Sequence, residues 1–389
     1  MKEKVRSKDY LLVISLFFFI VALLLIPTGF ENIKLQNSET VRARVIDVDN
    51  SSVMQFGIVK TGDQDLEIRI LNGRFKGVEV NANNMLIGKM ELDKMFAPGD
   101  SALVVLDLDN SGEKIIHANV IDHYRIRFEL ILFGIFVLLL LGFAGWTGLK
   151  AVLSFLFTAV VIWKLLIPGF LKGWDPILLT LGIVMVLTAA IIFLVGGLTT
   201  KGIVAFLGAF LGILLTCGLS ILFDRGFRIH GAVRPFSETL LYSGFPHLDL
   251  KKIFLSGIFL ASSGAVMDLA MDISAAMQEV REKHPQISRK ELVFSGFTVA
   301  KAVIGTMTTT LLFAYSGGYT AMLMVFMAQG TPVVNMFNII YVSSEVMHTL
   351  VGSFGLVTVA PFTAIIGGII YVRKIGDFSH KKKRTLTQN

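Results

Sequence analysis

Two hydrophobic patterns divide the chain. Near its start LLVISLFFFIVALLLIP is apolar all round, and long apolar runs return from residue 128 onward. Between them, over residues 31–127, the pattern alternates: VRARVIDV, LEIRIL, SALVVLDL and IIHANVID place apolar residues at roughly every second position. Period-two alternation predicts strands with one buried face. Glycine- and aspartate-rich breaks (DNSS, KTGDQD, LNGRFKG, APGDS, DNSGE) read as the turns between them. About five or six short strands fit a small β-barrel or sandwich, with an OB-like barrel among the options.

The later runs have the length a bilayer requires, about 20 residues each. Candidate spans are 128–146, 150–170, 176–196, 203–223, 252–274 and 296–316. Residues 319–372 are apolar at both ends but broken at GTPVVN (330–335), with Glu345 and His348 beyond. The pattern predicts a mainly α protein: a polytopic helical membrane bundle of about 8–9 membrane helices. A small extracytoplasmic β-barrel or sandwich domain is inserted after the first helix. The domain boundaries expected are an anchor helix 1–30, a β domain 31–127, a membrane domain 128–373 and a basic cytoplasmic tail 374–389. Eight full spans plus a re-entrant or interfacial segment keep both basic ends inside.

Composition agrees with this reading. The 389 residues are 53% hydrophobic and 17% charged, against about 25% charged in soluble domains. Mean hydropathy is +0.68. The net charge of +7 sits mainly in short loops and tails, the pattern of basic cytoplasmic loops and not of a nucleic-acid partner. Lys2, Lys4, Arg6 and Lys8 hold the N-terminus inside; no small-x-small site follows the first apolar run, so an uncleaved anchor is expected. The same scheme leaves the basic loop 224–250 outside. The lone cysteine, Cys217, excludes a disulfide framework or CxxC metal site. No Walker A, GxSxG or HExxH motif is present, and the histidines lack metal-ligand spacing. An enzyme, a cofactor and a metal site are therefore not expected.

The candidate chemistry lies in SSGAVMDLAMDISAAMQEV, residues 262–280. Asp268 and Asp272 are four apart and share a helix face, with Glu279 further along the same stripe. An aspartate at a membrane helix centre costs about 2.5–3.5 kcal/mol on insertion scales. That cost falls where the carboxylate lines a water-filled cavity, finds a partner or takes up a proton. A carboxyl in low-dielectric surroundings has a raised pKa, which suits a proton or ion relay. The competing reading puts both residues at a hydrated cytoplasmic mouth. In KAVIGTMTTTLL (301–312), Lys301 is a candidate counter-charge. Thr306 and Thr310 are candidates to hydrogen-bond across to the aspartates, or else to satisfy their own backbone. Gly208 and Gly212, in GAFLG, have the small-xxx-small spacing of close helix packing.

The run from LDLKKIFLSG to FAYSGG, with GTPVVN and TLVGSFGLVTVAPFTAIIGG after it, resembles the YibE/F family of bacterial membrane proteins. The resemblance covers most of 128–372 and is most specific at GAVMD-x-AM-x-I (264–273) and GTMT-x-T (305–310). The outside domain is similar to that of the longer, YibE-like members. Lys301 and Gly305 match a basic residue and a glycine of the family pattern, whereas Ala302 and Thr309 depart from a commoner acidic residue and asparagine. The resemblance implies a multi-pass protein of a bacterial plasma membrane and suggests transport. A helix, an outside domain and a helix bundle are also similar to half-units of RND, MMPL and SecD/SecF permeases, including the Gly296-Phe297 pair before a polar span.

Two functions are expected. One is an ion-coupled secondary transporter or export factor using the aspartate pair. The other is a non-transporting membrane scaffold or assembly partner whose outside domain binds another protein. Its partners are the lipid bilayer and either a shorter paralogous membrane subunit or a second copy of the chain.

Overall fold

The computed structural model describes residues 2–30 and 37–386, with side chains over 10–30 and 37–372. Part of the expected junction between anchor and β domain (31–36), Met1 and the end of the basic tail (387–389) lie outside the described residues, as do the side chains of the N-terminal lysines and arginine. Two compact units emerge: residues 29–143, and residues 1–28 together with 144–389.

The first unit is a barrel followed by an apolar helical segment. Its strands are β1 Ser38–Asp49, β2 Val53–Phe56, β3 Val59–Ile70, β4 Glu79–Ile87, β5 Ser101–Leu108 and β6 Ile115–His123. The hydrogen-bonded order is β1-β5-β6-β4-β3, closed by a β1–β3 pairing, with β2 appended to β3 as a hairpin. All pairings are antiparallel except β4–β6. Five strands closed this way have the connectivity of an OB-type barrel, so the barrel and not the open sandwich is realised. Alternate residues fill the interior: Val41, Ala43 and Val45 of β1, Leu66, Ile68 and Ile70 of β3, and Ala102, Val104 and Leu106 of β5. Phe96, from the β4–β5 connection, joins that core. Two buried amides hold the connection in place. The Gln64 carbonyl accepts from the Phe96 N–H (3.0 Å), its NH₂ donates to the Phe96 carbonyl (3.0 Å), and Asn84 donates to Lys94 O (2.7 Å) and to Gln64 (3.1 Å).

The remaining elements are helical. Helix α1 is Lys2–Leu25, α2 Ile126–Val161, α3 Ile167–Leu171, α4 Pro176–Gly196, α5 Thr200–Phe227 and α6 Ser237–Tyr242. They are followed by α7 Leu250–Lys283, α8 Arg289–Ser316, α9 Thr320–Ala328, α10 Val333–Asn338 and α11 Ile340–Leu386. A π-helical turn over Ile162–Leu166 joins α2 to α3. Three helix starts have a local cause. Asp175 caps α4 ahead of Pro176, Thr199 caps α5, and Ser288 with Glu291 forms the expected capping box of α8.

Among the described residues, six helical segments are long and apolar enough to cross a membrane. The sequence expectation of 8–9 differs for two reasons. The spans expected at 128–146 and 150–170 merge into one run, Ile126–Leu171, broken only at Gly145 (φ 52°). The apolar part of α1, Tyr10–Leu25, is shorter than a full span. That helix is nevertheless packed, with Ile20 and Leu23 buried among Phe157, Val161, Ile183 and Leu187.

Helices α5, α7 and α11 form the centre of the helical unit. Small residues let them approach. A Cβ on Gly208 would lie 2.1 Å from Thr363 Oγ1, and one on Gly355 1.9 Å from Thr216 Oγ1. A Cβ on Gly212 would meet Val266 and Val359 at 3.0 Å. Gly208 and Gly212 therefore sit at close helix–helix contacts.

Candidate functional site

Helix α7 carries both aspartates. Its core face is Val266, Leu269, Ala270, Ile273 and Met277, all buried at helical spacing. Asp268 and Asp272, one turn apart, lie off that face. Both are exposed and line an open pocket of about 560 Å³ walled by Ile191, Ile192 and Val195 of α4, Met267 and Met271 of α7, and Val303 and Met307 of α8. The two carboxylates are the only polar side chains in this lining. Among the described residues neither takes a side-chain hydrogen bond or an ion pair.

Their depth follows from neighbouring contacts. Ser274 Oγ donates to Lys201 O (2.8 Å) in the first turn of α5, and Met271 lies against Gly196 at the end of α4. Asp272 is thus near the level of the α4–α5 turn, and Asp268 lies about 6 Å deeper. Tyr371 of α11 fixes this end of α7, donating to Ser274 O at 3.0 Å.

The other expected partners do not meet the aspartates. Lys301 is exposed and, among the described residues, forms no ion pair. Val303 and Met307 are the α8 residues that face the cavity. Lys301, two positions before Val303, is carried to the far side of the helix. Thr306 Oγ1 donates to Val303 O (2.9 Å) and Thr310 Oγ1 to Thr306 O (3.1 Å), so both threonines satisfy their own helix. Glu279, expected on the same stripe, turns to Lys283 at 2.7 Å.

A second charged cluster joins residues that the sequence presents more than a hundred positions apart. Arg234, in the loop after α5, forms an ion pair with Glu345 of α11 and approaches His348 Nδ1 at 3.0 Å. His348 Nδ1 also lies 3.8 Å from Glu345 Oε2. Tyr315, at the end of α8, stacks on the His348 ring with centroids 4.3 Å apart. Glu345 and His348 are 7% and 8% exposed, and among the described residues His348 Nε2 has no partner. If the arginine N–H donates to Nδ1, the imidazole proton resides on Nε2. Gly231 (φ 90°) permits the loop's approach: a Cβ there would lie 2.3 Å from the Leu250 backbone. The Glu345–His348 spacing of three, inside an apolar run, was the available sequence signal; its pairing with Arg234 was not. Nearby, Lys251 pairs with Asp224 (2.7 Å) and Lys252 with Asp175 (2.8 Å), tying the start of α7 to α5 and α4.

Comparison with known families gives one result. The family described as YibE/F-like protein matches residues 132–373, more than half of the chain. No curated protein and no solved structure matches it.

Proposed function

The chain belongs to the YibE/F-like family, and from that premise we propose that it is an ion-coupled transporter or export factor of a bacterial plasma membrane. Asp268 and Asp272 are its proton- or cation-exchanging pair. One observation carries the proposal: two carboxylates, without a side-chain partner among the described residues, are the sole polar side chains lining an open pocket of about 560 Å³. Both carboxylates are exposed on the pocket wall; a carboxylate held without a partner among apolar side chains at membrane depth is costly, so this pocket is suited to trading that charge for a proton or a cation. Asp268, the deeper of the two, is assigned the exchanging role. Asp272, near the α4–α5 turn, is assigned the entrance.

The membrane arrangement belongs to the same proposal. Gly145 divides Ile126–Leu171 into two spans, and α1 adds another, giving eight in total. Helix α9, nine residues and about 14 Å long, is too short to cross a hydrocarbon core of about 30 Å. With α10 it forms a re-entrant or interfacial pair. An even count places both basic ends in the cytoplasm and the barrel outside. The aspartates then lie toward the cytoplasmic side. The Arg234–Glu345–His348 cluster lies toward the outer side, about 16 Å away along α7, counting from Gly257, which shares a pocket lining with Arg234 and His348, to Asp268.

The test is proton flux in vesicles reconstituted with the full chain under an imposed pH gradient. Wild type conducts, and Asp268→Asn falls to the level of protein-free vesicles. Equal flux in wild type and variant rejects the role of Asp268.

A scaffold function is favoured by a different observation. Met54, Phe56, Met85 and Ile87 of strands β2 and β4, which flank β3, are all exposed. Such a surface suits a shorter paralogous subunit or a second copy of this chain.

A further inference from the structure

The barrel unit contains a basic cleft that the transport reading does not use. It has a volume of about 370 Å³ and lies where β1, the turn before β5 and the start of α2 meet. Arg42, Arg44, Arg125 and Arg127 all line it, with Asp100 the one carboxylate. That carboxylate is engaged, accepting the Ala97 N–H at 2.9 Å. Asp122 lies just outside the lining and pairs with Arg125 at 2.8 Å. Arg42, Arg44 and Arg127 form no ion pair among the described residues. The Arg42 guanidinium stands 5.3 Å from the centre of the Tyr124 ring, and its Nε is buried without a partner among the described residues. The cleft therefore holds uncompensated positive charge, part of it fixed by stacking.

Its position indicates the ligand. Phe128 follows Arg127 directly and is 73% exposed, and Leu130 and Leu132 beyond it are also exposed. This is the apolar surface of a helix entering a bilayer. The headgroup layer is only about 5–8 Å deep on each side, so Arg125 and Arg127, within about one helical turn of Phe128, lie in it. Arginine forks match phosphate oxygens in paired hydrogen bonds, and lipid phosphates are the anions concentrated at that level. In the proposed topology these arginines also lie outside, against the bias that keeps basic residues in the cytoplasm. A local binding role accounts for their retention.

We infer that this cleft binds the phosphate of an anionic phospholipid headgroup in the leaflet that α2 enters. The inference rests on reading α2 as a membrane helix, and it is independent of whether the protein transports.

The experiment counts lipids retained by the full-length protein in detergent, by native mass spectrometry, after incubation with phosphatidylglycerol or phosphatidylcholine. Wild type retains phosphatidylglycerol in preference. Arg44→Gln with Arg127→Gln, both at exposed positions, reduces that retention about tenfold or more, at roughly 1 kcal/mol per basic residue. Lys76→Gln with Lys89→Gln, exposed on the same barrel outside the cleft, leaves it unchanged. Inorganic phosphate at millimolar concentration does not displace the lipid. Equal retention by wild type and the arginine variant overturns the inference, as does equal retention of phosphatidylcholine. Displacement by inorganic phosphate reassigns the cleft to soluble anions and overturns the lipid assignment. Retention does not depend on flux, so a failed transport assay leaves the result interpretable.

Discussion

The contact between α5 and α11 makes a quantitative prediction through Gly355→Ala. The new Cβ would lie 1.9 Å from Thr216 Oγ1 and 3.2 Å from Thr216 Cβ. A comfortable carbon contact is about 3.5–4.0 Å. Either the helices separate by about 1.5 Å or Thr216 rotates, breaking its 2.9 Å bond to Gly212 O. Overpacking of this kind costs about 1–3 kcal/mol. Thr216→Ala alone loses one hydrogen bond, worth about 0.5–1.5 kcal/mol. The double variant removes the hydroxyl that clashes and leaves the tolerable 3.2 Å contact. It should therefore be more stable than Gly355→Ala alone, with a favourable coupling of about 1–2 kcal/mol. Gly208→Ala behaves differently. Its Cβ would meet not only Thr363 Oγ1 at 2.1 Å but also Thr363 Cα at 3.0 Å. Trimming Thr363 to alanine leaves that backbone contact, so rescue is partial. The assay is heat-induced loss of the monodisperse, detergent-solubilised full chain, followed by size-exclusion chromatography. A silent Gly355→Ala, or purely additive effects with Thr216→Ala, refutes the reasoning.

Three further outcomes follow. Arg234→Met removes the arginine from the buried Glu345, leaving only His348 beside it at 3.8 Å, and should cost about 3–5 kcal/mol; adding Glu345→Gln should recover much of it in the same heat assay, and no recovery would mean the pair is not coupled. Residues 37–124 expressed alone should give a β-type far-UV spectrum, and Gln64→Ala, which strands the Phe96 N–H and one Asn84 donor, should lower its stability to urea by about 1–3 kcal/mol. Asp109 accepts from Ser111 Oγ and then from the backbone N–H groups around Lys114, which hold its carboxyl below the usual value. Its contribution is therefore complete above an unfolded pKa of about 4 and lost as pH falls through the lower folded value; Asp109→Asn in the isolated barrel should flatten part of the acid loss between those two values.

The sequence exposed what is local and hid what is long-range. β1, β3, β5 and β6 were readable because Val, Ile and Leu alternate with polar residues. β4 was not, because its centre, NANN, has poor strand propensity and places Asn84 inside, where its NH₂ donates to Gln64 and to the Lys94 carbonyl. Barrel closure depends on pairing β1 with β3 and β4 with β6, which alternation does not encode. Membrane helices were readable by hydropathy, but the continuity of Ile126–Leu171 past Gly145 was not. At the candidate site, spacing placed Asp268 and Asp272 on one face, yet their walls come from α4 and α8. The rotation of α8, set by packing, is what turns Lys301 away. Gly208 and Gly212 could be recognised from their own spacing, whereas Thr363, the residue against which Gly208 packs, could not.

The central claim is that Asp268 is a carboxyl that holds and exchanges a proton inside an apolar cavity. Labelling with carbodiimides tests it most directly, because the hydrophobic reagent reacts with protonated carboxyls in membranes and the water-soluble one with hydrated acids. The full chain in native membranes is treated across a pH series, and adducts are mapped by mass spectrometry. The account predicts a hydrophobic-reagent adduct on Asp268 that declines as pH rises, is absent in Asp268→Asn and is not matched by the water-soluble reagent. An Asp268 that resists the hydrophobic reagent at every pH, or that reacts with the water-soluble one as readily as the exposed Glu113 of the barrel, would contradict it.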